Sequence, residues 1–348
     1  MSLTVIAFDF DPELRREFVE LPMRLRPGEA EWLASERAKV EAQLSPSYPF
    51  FTHGLSRNFL VHDDAGVCRG RISAIVNHAL DIPGASVGHV GFFEAEDDDE
   101  VAGTLLESAC SFLRTQSIDR VWGPLNYSTL HSYRFLTSGF DKPPFYTDIY
   151  NPPYYPELFK RFGFHSLRTY SSELSSAHGV VAEQYRRAAQ RLRSAGFTIR
   201  LADIDRFDEE LELLYALVMD IFGGNFAFSP MSYEEFRRIY KPYHRHLQGE
   251  HLRFAFAPDG TPAGFVFAFP DFSGRYPEAF VGKMVGVKSA YKLSGLAQAL
   301  MHEVLSYNAE LGFESIIASL RIDGNPSTQF GAGTYRAFKT YELFELEL

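Results

Sequence analysis

The sequence predicts an α/β protein built as two tandem domains, residues 1–178 and 179–348. Three observations carry that reading. The chain has 348 residues, beyond the usual reach of one hydrophobic core. An order of strand, helix, strand and then asparagine occurs twice, at Gly88 to Asn126 and again at Gly282 to Asn325, which suggests duplication of one βαβ-containing unit. Between the copies, Ser175-Ser176-Ala177-His178-Gly179 is short, small and polar, as a boundary should be.

Composition narrows the function classes. Hydrophobic residues make up 45% and charged residues 23% of the chain, the balance of a globular protein. A formal net charge of -11 argues against a general nucleic-acid partner, because no broad surface neutralises phosphates. No apolar run is long enough to span a bilayer, and Asp9, Asp11 and Glu13 stand where a signal peptide would be basic. The expectation is a cytoplasmic monomer or homodimer without a membrane partner. Cys68 and Cys110 are too few for a disulfide framework or a metal site, and Cys110 falls on the apolar side of a helix.

In chain order, Leu21 to Pro27 is a short apolar and basic segment, Glu29 to Leu44 a helix, and Pro46 to Phe51 an aromatic turn. Asn58 to Val61 and Gly70 to Val76 flank the turn at Asp63 to Gly66 as a hairpin. Gly88 to Phe93 is a strand, Val101 to Leu113 a helix with Val101, Leu105, Ala109 and Phe112 inward, and Ile118 to Gly123 a returning strand. A helix with a Tyr150-to-Phe159 lead-in ends at Gly163, and Arg168 to Leu174 completes the first domain. The second domain opens with a basic helix, Val181 to Ser194, read as a solvated face. The strand Phe197 to Leu201 and the helix Phe207 to Phe222 follow. Gly223 to Met231 is a glycine- and aromatic-rich loop before a helix from Tyr233. Leu252 to Ala257 and Ala263 to Phe269 form a hairpin, Phe280 to Val287 the central strand, and Tyr335 to Leu348 an alternating final strand.

The chemistry concentrates at Met284 to Gly312. Strand residues Met284 to Val287 lead through a polar turn into Lys292-Leu293-Ser294-Gly295-Leu296-Ala297. There a helix begins whose Leu296, Leu300, Met301, Val304, Leu305 and Leu311 recur at three- and four-residue spacing. First-turn N–H groups lack intrahelical partners and the peptide dipoles favour an anion at that end. A glycine at position 295 lets the anion approach the backbone. In the first copy the corresponding place reads Asp97-Asp98-Asp99-Glu100, and those carboxylates would repel a pyrophosphate.

Lys292 to Ala297 resembles the acyl-CoA-binding motif of the GNAT (GCN5-related N-acetyltransferase) superfamily, usually Arg/Gln-x-x-Gly-x-Gly/Ala, with Lys292 in the first position. From Phe18 onward the chain is similar to a group of uncharacterised bacterial tandem-GNAT proteins. The segments that carry this are Val90 to Glu94, Gly123 to Asn126, Gly139 to Pro144, Tyr150 to Tyr155, Asn225 to Phe236 and Lys339 to Phe344. The resemblance implies two GNAT-like domains, each a mixed, mostly antiparallel twisted sheet flanked by helices, the first degenerate and the second holding the donor.

It also implies acetyl-CoA or another acyl-CoA as co-substrate, with direct attack by an amine of a small-molecule or amino-acid-like acceptor and no metal. Val285, Val287 and Lys292, Leu293, Ser294, Gly295, Leu296 and Ala297 would hold the donor. Asn225, Phe226 and Phe228 would meet the acceptor. Asn325 would hold the pantetheine arm or a water. The tyrosine that protonates the leaving thiolate usually follows that asparagine, and Tyr335 is the nearest phenol. Asp271, Glu278, His302 and His244 remain open as general bases. Two further functions stay in view: a non-catalytic acyl-CoA-binding or scaffold protein, and an aminoacyl or peptidyl transferase of the paired GNAT-like type. The acidic charge disfavours the latter, whose donor is charged tRNA.

Overall fold

The computed structural model of the chain describes residues 2–324, 331 and 333–348. Its first half runs β1 (Thr4–Phe8), α1 (Pro12–Leu25), α2 (Ala30–Gln43), β2 (Gly54–His62), β3 (Cys68–Asn77), β4 (Val87–Ala95), α3 (Asp99–Thr115), β5 (Arg120–Gly123), β6 (Phe135–Ser138), α4 (Tyr154–Phe162) and β7 (His165–Ser175). The second runs α5 (His178–Ser194), β8 (Thr198–Leu201), α6 (Phe207–Phe222), α7 (Tyr233–Tyr240), β9 (Leu252–Phe256), β10 (Pro262–Pro270), β11 (Ala279–Val287), α8 (Leu296–Glu310), β12 (Ser315–Ile322) and β13 (Arg336–Glu347).

Most of these elements follow from local sequence. The 3.6-residue periodicity of Leu211, Leu214 and Val218 yields α6, whose apolar face is buried. One helix was not read from the sequence: α1, where a short apolar and basic segment was expected at residues 21–27. Its start is nonetheless encoded, with Pro12 in the first turn and the Asp11 carboxylate accepting from Glu13 N and Leu14 N at 3.0 and 2.9 Å.

Among the described residues thirteen strands join one sheet, in the order β1-β2-β3-β4-β5-β13-β7-β12-β11-β10-β9-β8, with β6 pairing β13. Neighbours are antiparallel except β4 with β5 and β11 with β12. The two parallel pairs are the βαβ units read from the sequence, crossed over by α3 and α8. Between them the halves exchange strands. The last strand of the chain, β13, lies beside β5 of the first half, while β7 lies beside β12 of the second.

This exchange is locked by a buried charge. Lys339 Nζ contacts Asp148 Oδ2 at 2.5 Å and Tyr341 Oη donates to Asp148 Oδ1 at 2.6 Å, with both ionic side chains fully buried. Burial holds the Asp148 carboxyl above the usual carboxylate range, with Lys339 and Tyr341 opposing that shift.

Helices cover both faces. In the first half α1 and α2 bury Phe18, Val19 and Val40 against Ile75 and Phe92, and α3 and α4 cover the opposite face. In the second, α6 and α7 pack on Phe265, Phe267 and Val281, while α5 and α8 pack on Val266, Phe280 and Ile316. No helix among the described residues is long and apolar enough to cross a membrane. Cys68 and Cys110 are free and buried. Glu17, His62 and Cys68 place ligand atoms within 4.8 Å of one another. His62 already contacts Glu17 at 2.9 Å, and Arg24 and Arg71 bring positive charge to the thiol, so the group reads as structural.

Candidate functional site

In the second half, β11 and β12 pair only from Ala279 to Gly282 against Ser315 to Ala318. Beyond Gly282 the strands part. Ser319 Oγ donates to Gly282 O at 2.9 Å at the point of divergence, and Leu320, with φ of 55°, turns β12 aside. On its other edge β11 stays paired with β10, but the register skips Lys283: Phe267 faces Met284 and Ala268 faces Gly282. Lys283 is therefore a β-bulge at the crotch of the cleft. Val285 and Val287 continue the strand opposite Val266 and Gly264, with Val287 buried.

Past the strand, Gly295 stands before α8 with φ of 91°, a conformation that favours glycine. A Cβ built there would lie 2.8 Å from Arg191 Nη2 and 3.1 Å from Gln298 Oε1. Leu296 is buried and Ala297 half-buried, whereas Lys292 and Leu293 are exposed. Ser294 Oγ accepts from Leu296 N at 3.2 Å, and Ser294 O accepts from Arg191 Nη2 at 3.1 Å. The residue at the α8 N-cap is Gly295, which offers no side chain of its own to the first turn. One arginine of the α5 helix, read from the sequence as a solvated face, is thus laid against the motif. The helical spacing that gave α5 its basic face was visible; which residue that face would meet was not.

The first half shows the same layout with its donors filled. Its β4 and β5 pair from Val87 to His89 against Arg120 to Trp122, and β4 bulges at Phe92 and Phe93 opposite Ile72. Here the Phe92 N–H donates to Asn126 Oδ1 at 2.8 Å, and Leu125 N donates to Val90 O at 2.8 Å, closing the cleft. At the start of α3 the Asp98 carboxylate accepts from Glu100 N at 2.8 Å and Val101 N at 3.1 Å. The anion position of this half is held by the chain's own carboxylate.

The halves meet at a buried polar cluster that the sequence reading missed. Glu235, in the first turn of α7, is fully buried and lies 2.7 Å from His53 Nε2 and 3.9 Å from His131 Nε2. His53 Nδ1 meets Asn77 Oδ1 at 3.2 Å, and Asn77 donates to Ser229 Oγ at 3.0 Å. His131 is bonded on both nitrogens, by Ser128 Oγ at 2.8 Å and Tyr48 Oη at 2.9 Å. The hydrogen bond to Glu235 raises His53 above its ordinary value, while burial pushes His131 down to about 3. Glu235 lies 182 positions from His53, so no spacing announces the cluster.

The remaining sequence-predicted residues fall as follows. Asn225 is exposed, Phe226 stacks on Trp122 at 5.1 Å beneath Arg168 at 4.4 Å, and Phe228 is partly buried beside α6. Their loop spans the two halves. Asn325 lies outside the described residues. Tyr335 sits on the α5 and α8 face with Arg321 4.9 Å over its ring, and burial pushes its phenol up to about 12. The four open bases are engaged elsewhere. Asp271 accepts from Tyr146 N, Ser273 Oγ and Tyr276 N at 2.5, 2.5 and 2.9 Å. His302 meets Ala182 O at 2.8 Å, His244 meets Ile204 O at 3.1 Å, and Glu278 is paired with Glu314.

A cavity of about 110 Å³ opens between α1, α2 and the β4 bulge. Apolar Val19, Met23, Val40 and Phe92 share its wall with Lys39 and Arg134. Arg134 is clamped over the rings of Tyr133 and Tyr170 at 3.8 and 4.2 Å, and its Nη1 reaches Leu320 O at 3.5 Å. The cavity of the first half therefore adjoins the cleft of the second.

Paired βαβ units, a bulged strand parting from its parallel neighbour and a glycine-led helix define a tandem protein of the GCN5-related N-acetyltransferase fold. Solved structures of that fold match the whole chain. A conserved protein of unknown function from Enterococcus faecalis V583, a probable N-acyltransferase, gives a TM-score of 0.61 at 10% identity, covering 100% of this chain and 73% of that one. A tandem GNAT protein from the clavulanic acid biosynthesis pathway gives 0.55 at 13% identity, covering 99% and 98%. A bacterial ceramide synthase from Caulobacter vibrioides (strain NA1000 / CB15N) is 29% identical over 273 residues, 78% of this chain and 70% of that protein. Protein YghO of Escherichia coli (strain K12) is 23% identical over 265 residues, and the chain spans 65% of its length. No family model matches the chain.

Proposed function

We propose that the chain is an acyl-CoA-dependent N-acyltransferase, with its second half holding the donor and its first half closing the acceptor side. The observation that carries this reading is the contrast between the two clefts: bulge amide and helix terminus filled in the first half, a glycine at the helix N-cap behind a parted strand in the second. The Gly295 position suits a pyrophosphate, because its φ of 91° favours glycine and leaves no side chain between an anion and the first turn of α8. Arg191 and Lys292 add positive charge beside the first-turn N–H groups of α8 that follow Leu296. Backbone N–H groups of Lys283 to Val287 would polarise the thioester carbonyl.

The relative named as a ceramide synthase supports a long acyl donor and an acceptor whose amine sits on a long-chain amino alcohol, since that is the composition of a ceramide. Acetyl-CoA with a small amine is the competing pair. Thiol release measured with acetyl-, palmitoyl- and intermediate acyl-CoAs against long-chain amino alcohols, amino acids and polyamines tests both. Turnover should require a long-chain amine and rise with acyl length. Preference for acetyl-CoA with a small amine would overturn the lipid reading, and CoA binding without any thiol release would favour a scaffold.

A further inference from the structure

We propose that Lys283 is the proton acceptor of the amine, the catalytic base of the acyl transfer. This rests on the acyltransferase reading above. Lys283 is the bulged residue at the crotch, where the thioester carbonyl must meet the amine. Its side chain is half-buried, and no carboxylate among the described residues pairs with it.

The charges that face it are Arg134, from the loop after β5, and Lys39, from α2. Arg134 is fixed at the crotch by its contact with Leu320 O. The next strand residue, Met284, has the Tyr240 phenol of α7 3.8 Å from its sulfur. Burial and these two cations push the Lys283 ammonium down to about 8, which leaves a neutral amine in useful amount at neutral pH.

Among other candidates, Asp148 is held by Lys339 and both nitrogens of His131 are bonded, while Glu235 gives one oxygen to His53 in the clasp between the halves and keeps the other buried without a hydrogen-bond partner. A cationic site also disfavours an acceptor held as ammonium, so the amine reacts in its neutral form with its lone pair free. The acceptor nitrogen forms the C–N bond to the thioester carbon and its proton passes to neutral Lys283 Nζ. The C–S bond then breaks with its electron pair on sulfur, and the thiolate takes that proton from Lys283. The products are amide and free CoA thiol, with lysine returned neutral.

Two readouts on the full chain test the role. Competitive labelling of wild type with acetic anhydride across pH, read at Lys283 by mass spectrometry, should give a midpoint near 8 and protection by the acyl-CoA. A midpoint in the ordinary lysine range, about 10.4, would overturn the proposal whether or not turnover is seen. In the second, Lys283→Arg keeps the charge and removes the base. It should lower kcat at least ~100-fold while calorimetric acyl-CoA affinity stays within ~3-fold of wild type, and the wild-type kcat limb near pH 8 should disappear. Lys283→Arg turning over within ~3-fold of wild type would assign the residue a charge role only and sink the idea. If wild type releases no thiol with any amine, the acyltransferase reading fails on its own, and the labelling midpoint still decides whether Lys283 is a poised base.

Discussion

The two halves share one plan and differ where a ligand would touch them. Each has a parallel strand pair crossed over by a helix, and each bulges its first strand beyond the paired stretch. In the first half Asn126 caps the bulge amide and Asp98 caps the helix. In the second, Gly295 stands at the N-cap without a side chain, Arg191 lies over it, and Lys283 occupies the bulge. The lesson is physical: a fold that must leave donors open to bind an anion can be made inert by two short polar side chains that satisfy them from within, with no change of topology.

The harshest way to break the comparison is to separate the halves. A fragment of residues 179–348 loses β7, which lies between β12 and β13. It is expected to express as an aggregating chain that binds apolar dye; a soluble fragment with full activity would show that the halves are independent. Less drastic is Asp148→Asn, which leaves the Lys339 ammonium buried without its counter-charge. Chemical denaturation should report a loss of about 3–5 kcal/mol.

With Lys283 returning the proton to the thiolate, Tyr335→Phe should leave turnover and acyl-CoA affinity close to wild type; a loss of about tenfold would give that step to the Tyr335 phenol instead. Its packing beneath Arg321 is kept in the variant, so unchanged turnover would leave it a packing residue. Asp98→Ala should cost about 1 kcal/mol of stability through the lost cap, without creating a second donor site, because Asn126 still closes the bulge.

The smallest effect concerns the clasp between the halves. The folded value of His53 lies above its ordinary 6.5 because Glu235 accepts from it. The pair's contribution is therefore complete below pH about 6.5 and fades as pH rises through the raised value. The stability gap between wild type and His53→Gln should narrow from pH 6 to pH 9; a gap that widens would contradict the assigned charge state.

Local elements were legible because their signals are local. Helical spacing gave α6 with both ends, and alternation with turn residues gave β11 and β13. The glycine-led helix and its contrast with Asp97 to Glu100 were legible for the same reason: capping chemistry is written within a few residues. Strand exchange was not, since β7 and β13 choose partners more than a hundred residues away and their sequences carry no record of which half they join. Lys283 was passed over because a lysine inside an apolar strand signals nothing until the register shows a bulge. Lys339 read as one of an alternating pair, and only Asp148, far upstream, accounts for its burial.

The central claim is that one half binds the donor and the other has its equivalent donors filled. Titration calorimetry of the full chain with CoA and with an acyl-CoA tests it most directly. The account predicts one equivalent bound, and at least ~100-fold weaker binding in Gly295→Asp, where a carboxylate displaces the anion, with the circular dichroism spectrum unchanged. Two equivalents bound to wild type, or undiminished affinity in folded Gly295→Asp, would contradict it.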